Sequence, residues 1–161
     1  HTVFSTLHTN DAPTTITRLK DMGVPTFLIT ATVEAILAQR LVRLNCQKCK
    51  HAIQLPESVL NDAGIPLALA QTATFMKGKG CGNCNKSGYR GRQGIFELMM
   101  ITSKIRELIF KNVSSTEIRK VAISQGMSTL YVDGIRKVMA GITTMDEVYR
   151  NAKRTEQDII S

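Results

Sequence analysis

The chain has 161 residues, of which 43% are hydrophobic and 5% aromatic, with no Trp, and its formal charge is +8. That is enough for one domain or two small ones with a buried core. No apolar run has the length of a membrane span and none of the chain reads as a signal peptide. The excess of Lys and Arg points to an acidic partner, such as nucleic acid, anionic lipid, nucleotide phosphate or an acidic protein face. The alternative is a charge spread over solvated surfaces.

The chain opens on His1 and not on Met. It reads as a piece of a longer protein that begins in or just before a strand. Thr2 to Leu7 is a β-prone run of the buried kind. The polar elbow Ser5-Thr6-Leu7-His8-Thr9-Asn10 follows, and Asn10 or Asp11 can cap a helix that tolerates Pro13 in its first turn. Ile16, Leu19 and Met22 share one helical face, Gly23 stops the helix, and Thr26 to Leu37 has the length and apolarity of a second one. Strand, elbow and helix make the local anatomy of an α/β domain, whose ligands sit at the carboxyl ends of strands. The elbow could meet a phosphate with hydroxyls, an imidazole and helix N–H groups, or it could be a capped turn and no more.

Ala38 to Leu44 and Gly91 to Met99 both suit strands. Between them stand the only four cysteines, as Cys46-x-x-Cys49 and Cys81-x-x-Cys84 with 31 residues intervening. Two such pairs fold into knuckles that together offer a tetrahedral S4 shell, and thiolate softness in that geometry favours zinc, with iron as the lesser option. A redox dithiol comes as one pair at a helix start, so that reading is weaker. His51 could compete as a ligand but is unneeded beside four thiols. Paired cysteines with none left over fit a reducing compartment. If the two strands pair antiparallel, the cysteine module is an insertion at the tip of a hairpin, fastened by zinc because it buries little apolar surface of its own. Inside it, Pro56 to Ala63 reads as a helix closed by Gly64, Pro66 to Gln71 as a further turn, and Lys77 to Gly80 as a flexible basic approach to the second knuckle.

Four helical patterns follow Met100. They centre on Ile105 to Ile109, on Ile118 to Ala122 behind a Ser114/Glu117 capping box, on Thr129 to Ala140, and on Val148 to Ala152 behind a Thr144/Glu147 capping box. They read as a small C-terminal bundle, with Asn151 to Ser161 frayed. There is no G-x-x-x-x-G-K-[ST] motif, no H-E-x-x-H and no G-x-S-x-G. Basic residues ring the cysteine module, but Phe75 and Tyr89 are the only aromatics nearby, so nucleic acid ranks second as a partner.

Taken together, these residues resemble the secretion-superfamily ATPases, the motors of type II secretion and type IV pilus assembly. Ser5 to Ala12 looks like that family's histidine box, and Ala38-Gln39-Arg40-Leu41 is similar to its next motif. The four cysteines match the tetracysteine module of the secretion and pilus-extension branch. Gly88 to Arg92 with Gly94 to Leu98 looks like the strand after the module. Gly126-Met127, Thr129-Leu130, Asp133-Gly134, Lys137-Val138, Gly141 and Thr143-Thr144 resemble the C-terminal helical signature.

The resemblance implies an α/β fold, the C-terminal part of a RecA-like P-loop ATPase domain with a zinc-binding tetracysteine insertion and a C-terminal helical bundle. The segments would be residues 1–44 in the RecA-like core, 45–88 in the insertion, 89–100 as the return strand and 101–161 as the helical subdomain. It further implies a hexameric cytoplasmic ATPase, peripheral at the inner membrane, that hydrolyses Mg-ATP and works with membrane-bound platform and linker proteins. His8 would be the catalytic residue that senses the γ-phosphate. Ser5, Thr6, Thr9, Arg40 and Arg92 would be nucleotide-proximal, and Cys46, Cys49, Cys81 and Cys84 would hold structural zinc. Without a phosphate loop of its own, the chain alone should not turn over ATP. The competing reading is a non-enzymatic zinc module that binds nucleic acid or a protein partner.

Overall fold

The computed structural model describes residues 1–160, and these divide into two compact units. The first unites His1–Gln39 with Phe96–Ser128, and the second unites Arg40–Ile95 with the chain from Thr129 onward.

In the first unit, helix α1 spans Ala12–Asp21 and α2 spans Thr26–Thr32. The Asp11 carboxylate accepts the Thr14 N–H at 2.9 Å, which caps α1. The helix ends in a Schellman turn. The Val24 N–H returns to Leu19 O and the Gly23 N–H to Lys20 O, with Gly23 at φ +86°, a conformation that only glycine adopts without strain. Helices α5 (Ser103–Phe110) and α6 (Ser115–Ser124) complete the unit. Ile16, Ile29, Met99, Ile105, Ile109 and Ile118 are buried in its core, and burial of each such side chain stabilises by about 1.5–3 kcal/mol.

Strand β1 spans Ala35–Asn45 and β4 spans Tyr89–Met100, and they pair in a two-stranded ribbon. Ile101 N–H donates to Glu34 O at one end and Cys46 N–H donates to Gly88 O at the other, so the pairing is antiparallel. The cysteine module is therefore carried at the tip of a hairpin. It contains β2 (Lys50–Ala52), α3 (Glu57–Ala63), α4 (Leu67–Thr72) and β3 (Met76–Gly78), with β2 and β3 paired antiparallel from Lys50↔Gly78 to Ala52↔Met76. Helices α7 (Leu130–Met139) and α8 (Met145–Asn151) complete the second unit.

Five expectations are corrected. Thr2 to Leu7 forms no strand, and Val3 and Phe4 are 81% and 94% exposed, because no strand among the described residues pairs with that backbone. The second helix stops at Thr32 and not at Leu37, because strand pairing takes over: Glu34 O already accepts a β-type bond from Ile101. Lys77 to Gly80 is not a free approach, since Met76–Gly78 is the strand β3. The four C-terminal helices do not form one bundle: α5 and α6 belong to the first unit, α7 and α8 to the second. The tail does not fray through Ile160. Ala152, Asp158 and Ile160 are buried, Arg154 donates to Asp62 O at the end of α3, and Asp158 bonds Thr129 and Thr155.

Candidate functional site

The hairpin brings the four cysteines together, their sulfurs all within 4.8 Å of one another. Cys46–Cys81, Cys49–Cys84 and Cys81–Cys84 lie 3.9, 3.8 and 3.8 Å apart. Four thiolates at about 2.3 Å from a central zinc have tetrahedral edges of about 3.8 Å. The residues present therefore fit a single ion in a closed S4 shell. The knuckles also aim donors at sulfur: Gly80 N–H and Gly88 N–H meet Cys49 and Cys84 at 3.3 Å, and Cys81 N–H meets Cys84 at 3.2 Å. The Asn83 amide lies 3.6 Å from Cys46 Sγ and is the chief cause that pulls this thiol down to about 6, whereas desolvation pushes Cys49 up to about 12. A cation that binds all four must expel the proton held by Cys49.

The cysteine module is also bound to the loop between α7 and α8. Buried Asn45 donates its side-chain amide to Met76 O, Gly141 O and Thr143 O at 3.0–3.2 Å, and Thr74 N–H donates to Met139 O at 2.8 Å. Tyr131 O–H donates to Ala63 O at 3.0 Å. A metal held by the four cysteines would thus be one fastening among several, where spacing alone pointed to it as the main one.

The other site residues named from sequence are not gathered within either unit. Ser5, Thr6 and His8 are exposed on the segment before α1, in the first unit. Thr9 is half-buried, and its Oγ1 bonds Thr15 Oγ1 at 2.8 Å and donates to Asp11 O at 3.3 Å. Arg40 on β1 is half-buried and Arg92 on β4 is exposed, both in the second unit.

Sequence reasoning missed a polar group buried at the start of α1. Glu97, 1% exposed, accepts Ala12 N–H at 2.8 Å, and its second oxygen lies 3.9 Å from the Arg119 guanidinium. Arg119 also meets the Asp11 carboxylate at 2.6 Å. A signal was available, because Glu97 shares the inward register of β4 with buried Ile95 and Met99. A charge at such a position requires a partner.

No helix among the described residues is long and apolar enough to cross a membrane. Residues 1–150 match the family model described as "Type II/IV secretion system protein". The chain is 47% identical over 152 residues to the type IV pilus assembly ATPase PilB of Myxococcus xanthus, covering 94% of this chain and 27% of that protein. It is 45% identical over 148 residues to PilB of Thermus thermophilus, covering 92% of this chain and 17% of that protein. It is 43% identical over 150 residues to the type II secretion system protein E of Pseudomonas aeruginosa, covering 93% and 29%. The chain spans less than a third of the length of these relatives. It belongs to the type II/IV secretion system protein family.

Proposed function

We propose that this chain is the C-terminal part of a hexameric ATPase that powers pilin or pseudopilin assembly in type IV pilus biogenesis or type II secretion. The supporting observation is a tetrahedrally spaced cysteine cluster at the tip of the β1–β4 hairpin, in a chain 47% identical to a pilus assembly ATPase. On this reading the core segments complete a RecA-like domain whose phosphate loop lies outside this chain. The motor sits in the cytoplasm at the inner membrane and acts on platform and linker proteins there.

The four thiolates hold structural zinc. Their shell is complete, so the ion has no open position for substrate and contributes folding, not chemistry. The phosphoanhydride of Mg-ATP supplies the reacting group when bound, and this chain supplies His8 toward it. An exposed imidazole three residues before the Asp11 cap has a donor N–H of the kind that reads a γ-phosphate oxygen. Ser5, Thr6 and Thr9 give that elbow its hydroxyls, and Arg40 and Arg92 are the cations assigned to the nucleotide's neighbourhood. This chain alone carries no phosphate cradle and does not turn over ATP.

The test is His8→Ala in the full-length protein. Turnover is expected to fall by about 100-fold or more, the scale of a lost charge-stabilising donor, with nucleotide affinity nearly unchanged. Unaltered turnover would remove His8 from the mechanism.

A further inference from the structure

We infer that Glu97 and Arg119 are positioning residues that hold the His8 elbow in register, and this rests on the reading of His8 given above. The residues before Asp11 have no regular structure, and His8 itself is exposed. The elbow runs directly into α1, so the point where they join, at Asp11 and Ala12, fixes the position from which His8 projects. Thr9 ties the elbow to that point through Asp11 O and Thr15 Oγ1. The point itself is clamped twice from distant elements. Glu97 of β4 takes the Ala12 N–H, and Arg119 of α6 takes the Asp11 carboxylate.

Asp11 already caps α1, its Oδ1 accepting Thr14 N–H, but the helix start is buried: Ala12 is fully inaccessible, so its N–H needs a protein partner, and Glu97 supplies it. Here a nearly inaccessible carboxylate and a guanidinium whose side chain is 13% exposed are both aimed at Asp11 and Ala12. Charges removed from water this far hold their geometry only while every partner stays in place. Fixed partners on β4 and α6 give the elbow two anchors, and together they limit its rotation as well as its translation. Positive helix-end charge at the α1 start favours the two carboxylates that share Arg119.

The experiment uses the full-length protein with Mg-ATP and the variants Arg119→Ala, His8→Ala and their combination. Steady-state turnover, nucleotide Kd and amide hydrogen exchange over residues 9–15 are measured. Arg119→Ala is expected to lower kcat by about 10-fold or more with Kd within about 2-fold, the size of effect that misplacement of a reacting group produces. Exchange over residues 9–15 should rise. Adding His8→Ala to Arg119→Ala should lower kcat no further than His8→Ala does alone, because both act through one imidazole. If Arg119→Ala does not fold, Asp11→Asn replaces it. That change keeps the Oδ1 acceptor for Thr14 N–H, breaks the ion pair, and should show the same non-additivity with His8→Ala. Turnover within 2-fold of the parent, or losses that multiply in the combination, overturns the inference. Unaltered turnover in His8→Ala overturns the functional reading and this inference with it, so the two failures are distinct.

Discussion

At Glu147 a carboxylate with 4% side-chain exposure receives the Arg43 backbone N–H at 2.9 Å and the Arg43 guanidinium at 2.6 Å, while that guanidinium lies 4.2 Å over the Tyr89 ring. Desolvation pushes the Glu147 carboxyl up, but the bonds from Arg43 outweigh it and hold the group below its ordinary 4.5. A carboxyl depressed in the folded state stabilises fully above its unfolded value and loses that contribution as pH falls through the folded value. Stability should therefore decline as the solution is acidified below about pH 4.5, and Glu147→Gln should flatten that decline in a denaturant series taken at successive pH values. An equal acid dependence in parent and variant would assign it to other carboxylates. Glu147→Ala should cost about 3 kcal/mol at neutral pH, the lower end for a broken buried pair because Arg43 stays 40% exposed. The Thr144/Glu147 spacing read as a capping box, and half of it formed: Thr144 Oγ1 accepts Glu147 N–H at 3.4 Å, but the carboxylate left the helix for Arg43. Local spacing carried the cap, while a partner 104 positions away carried the charge.

Among the elements, those with their own punctuation were legible. Helices α6 and α8 announce themselves by caps at Ser114 and Thr144, α5 and α7 by their apolar spacing, and the cysteine pairs announce their knuckles. The β2–β3 hairpin did not, because three residues a side give no measurable alternation, and α2 was read too long because its apolar run passes straight into β1. The element that depends most on fine geometry is the crossing of Gly78 and Gly88 beneath the second knuckle. A Cβ on Gly88, whose φ is +79°, would stand 2.7 Å from Gly78 O, and one on Gly78 would stand 2.1 Å from Gly88 O. Gly88 also donates to Cys84 Sγ and accepts from Cys46 N–H. Gly88→Ala should therefore shift both cysteine pairs and speed zinc transfer to a chromogenic chelator by about 10-fold, the equivalent of roughly 1.4 kcal/mol and within the cost of forcing a side chain into this backbone region. Gly82→Ala is the control, since its Cβ would meet nothing within 4 Å. Equal transfer rates in the two variants would show that the crossing does not support the site.

For the molecule as a whole, the division into two units was the least legible feature. Nothing in the periodicity of 101–161 distinguishes α5 and α6, which pack with α2 and α1, from α7 and α8, which pack with each other in the unit that holds the cysteine module. The division depends on which distant partner each apolar face meets, and helical patterning records only that a face exists. The buried tail escaped notice for the same reason, since Asp158 and Arg154 are ordinary surface residues until Thr129 and the end of α3 are placed beside them. The two units should answer metal removal differently. The first has an apolar core of Ile16, Ile29, Ile105, Ile109 and Ile118 and contains no cysteine. The second contains all four, and between its knuckles Leu60, Ala63, Ile65 and Phe75 are the buried apolar residues. Chelation under reducing conditions should leave four thiols at contact distance with no cation to hold them, so the knuckles should open. Hydrogen exchange is expected to accelerate across Cys46 to Gly88 and to stay slow in α1, α5 and α6, because local stability follows local burial. Cys81→Ser should reproduce that pattern without a chelator. Uniform acceleration through both units would instead mean that the metal supports one cooperative structure. The asymmetric result would make zinc a fastening of the insertion alone and leave the elbow that carries His8 independent of it.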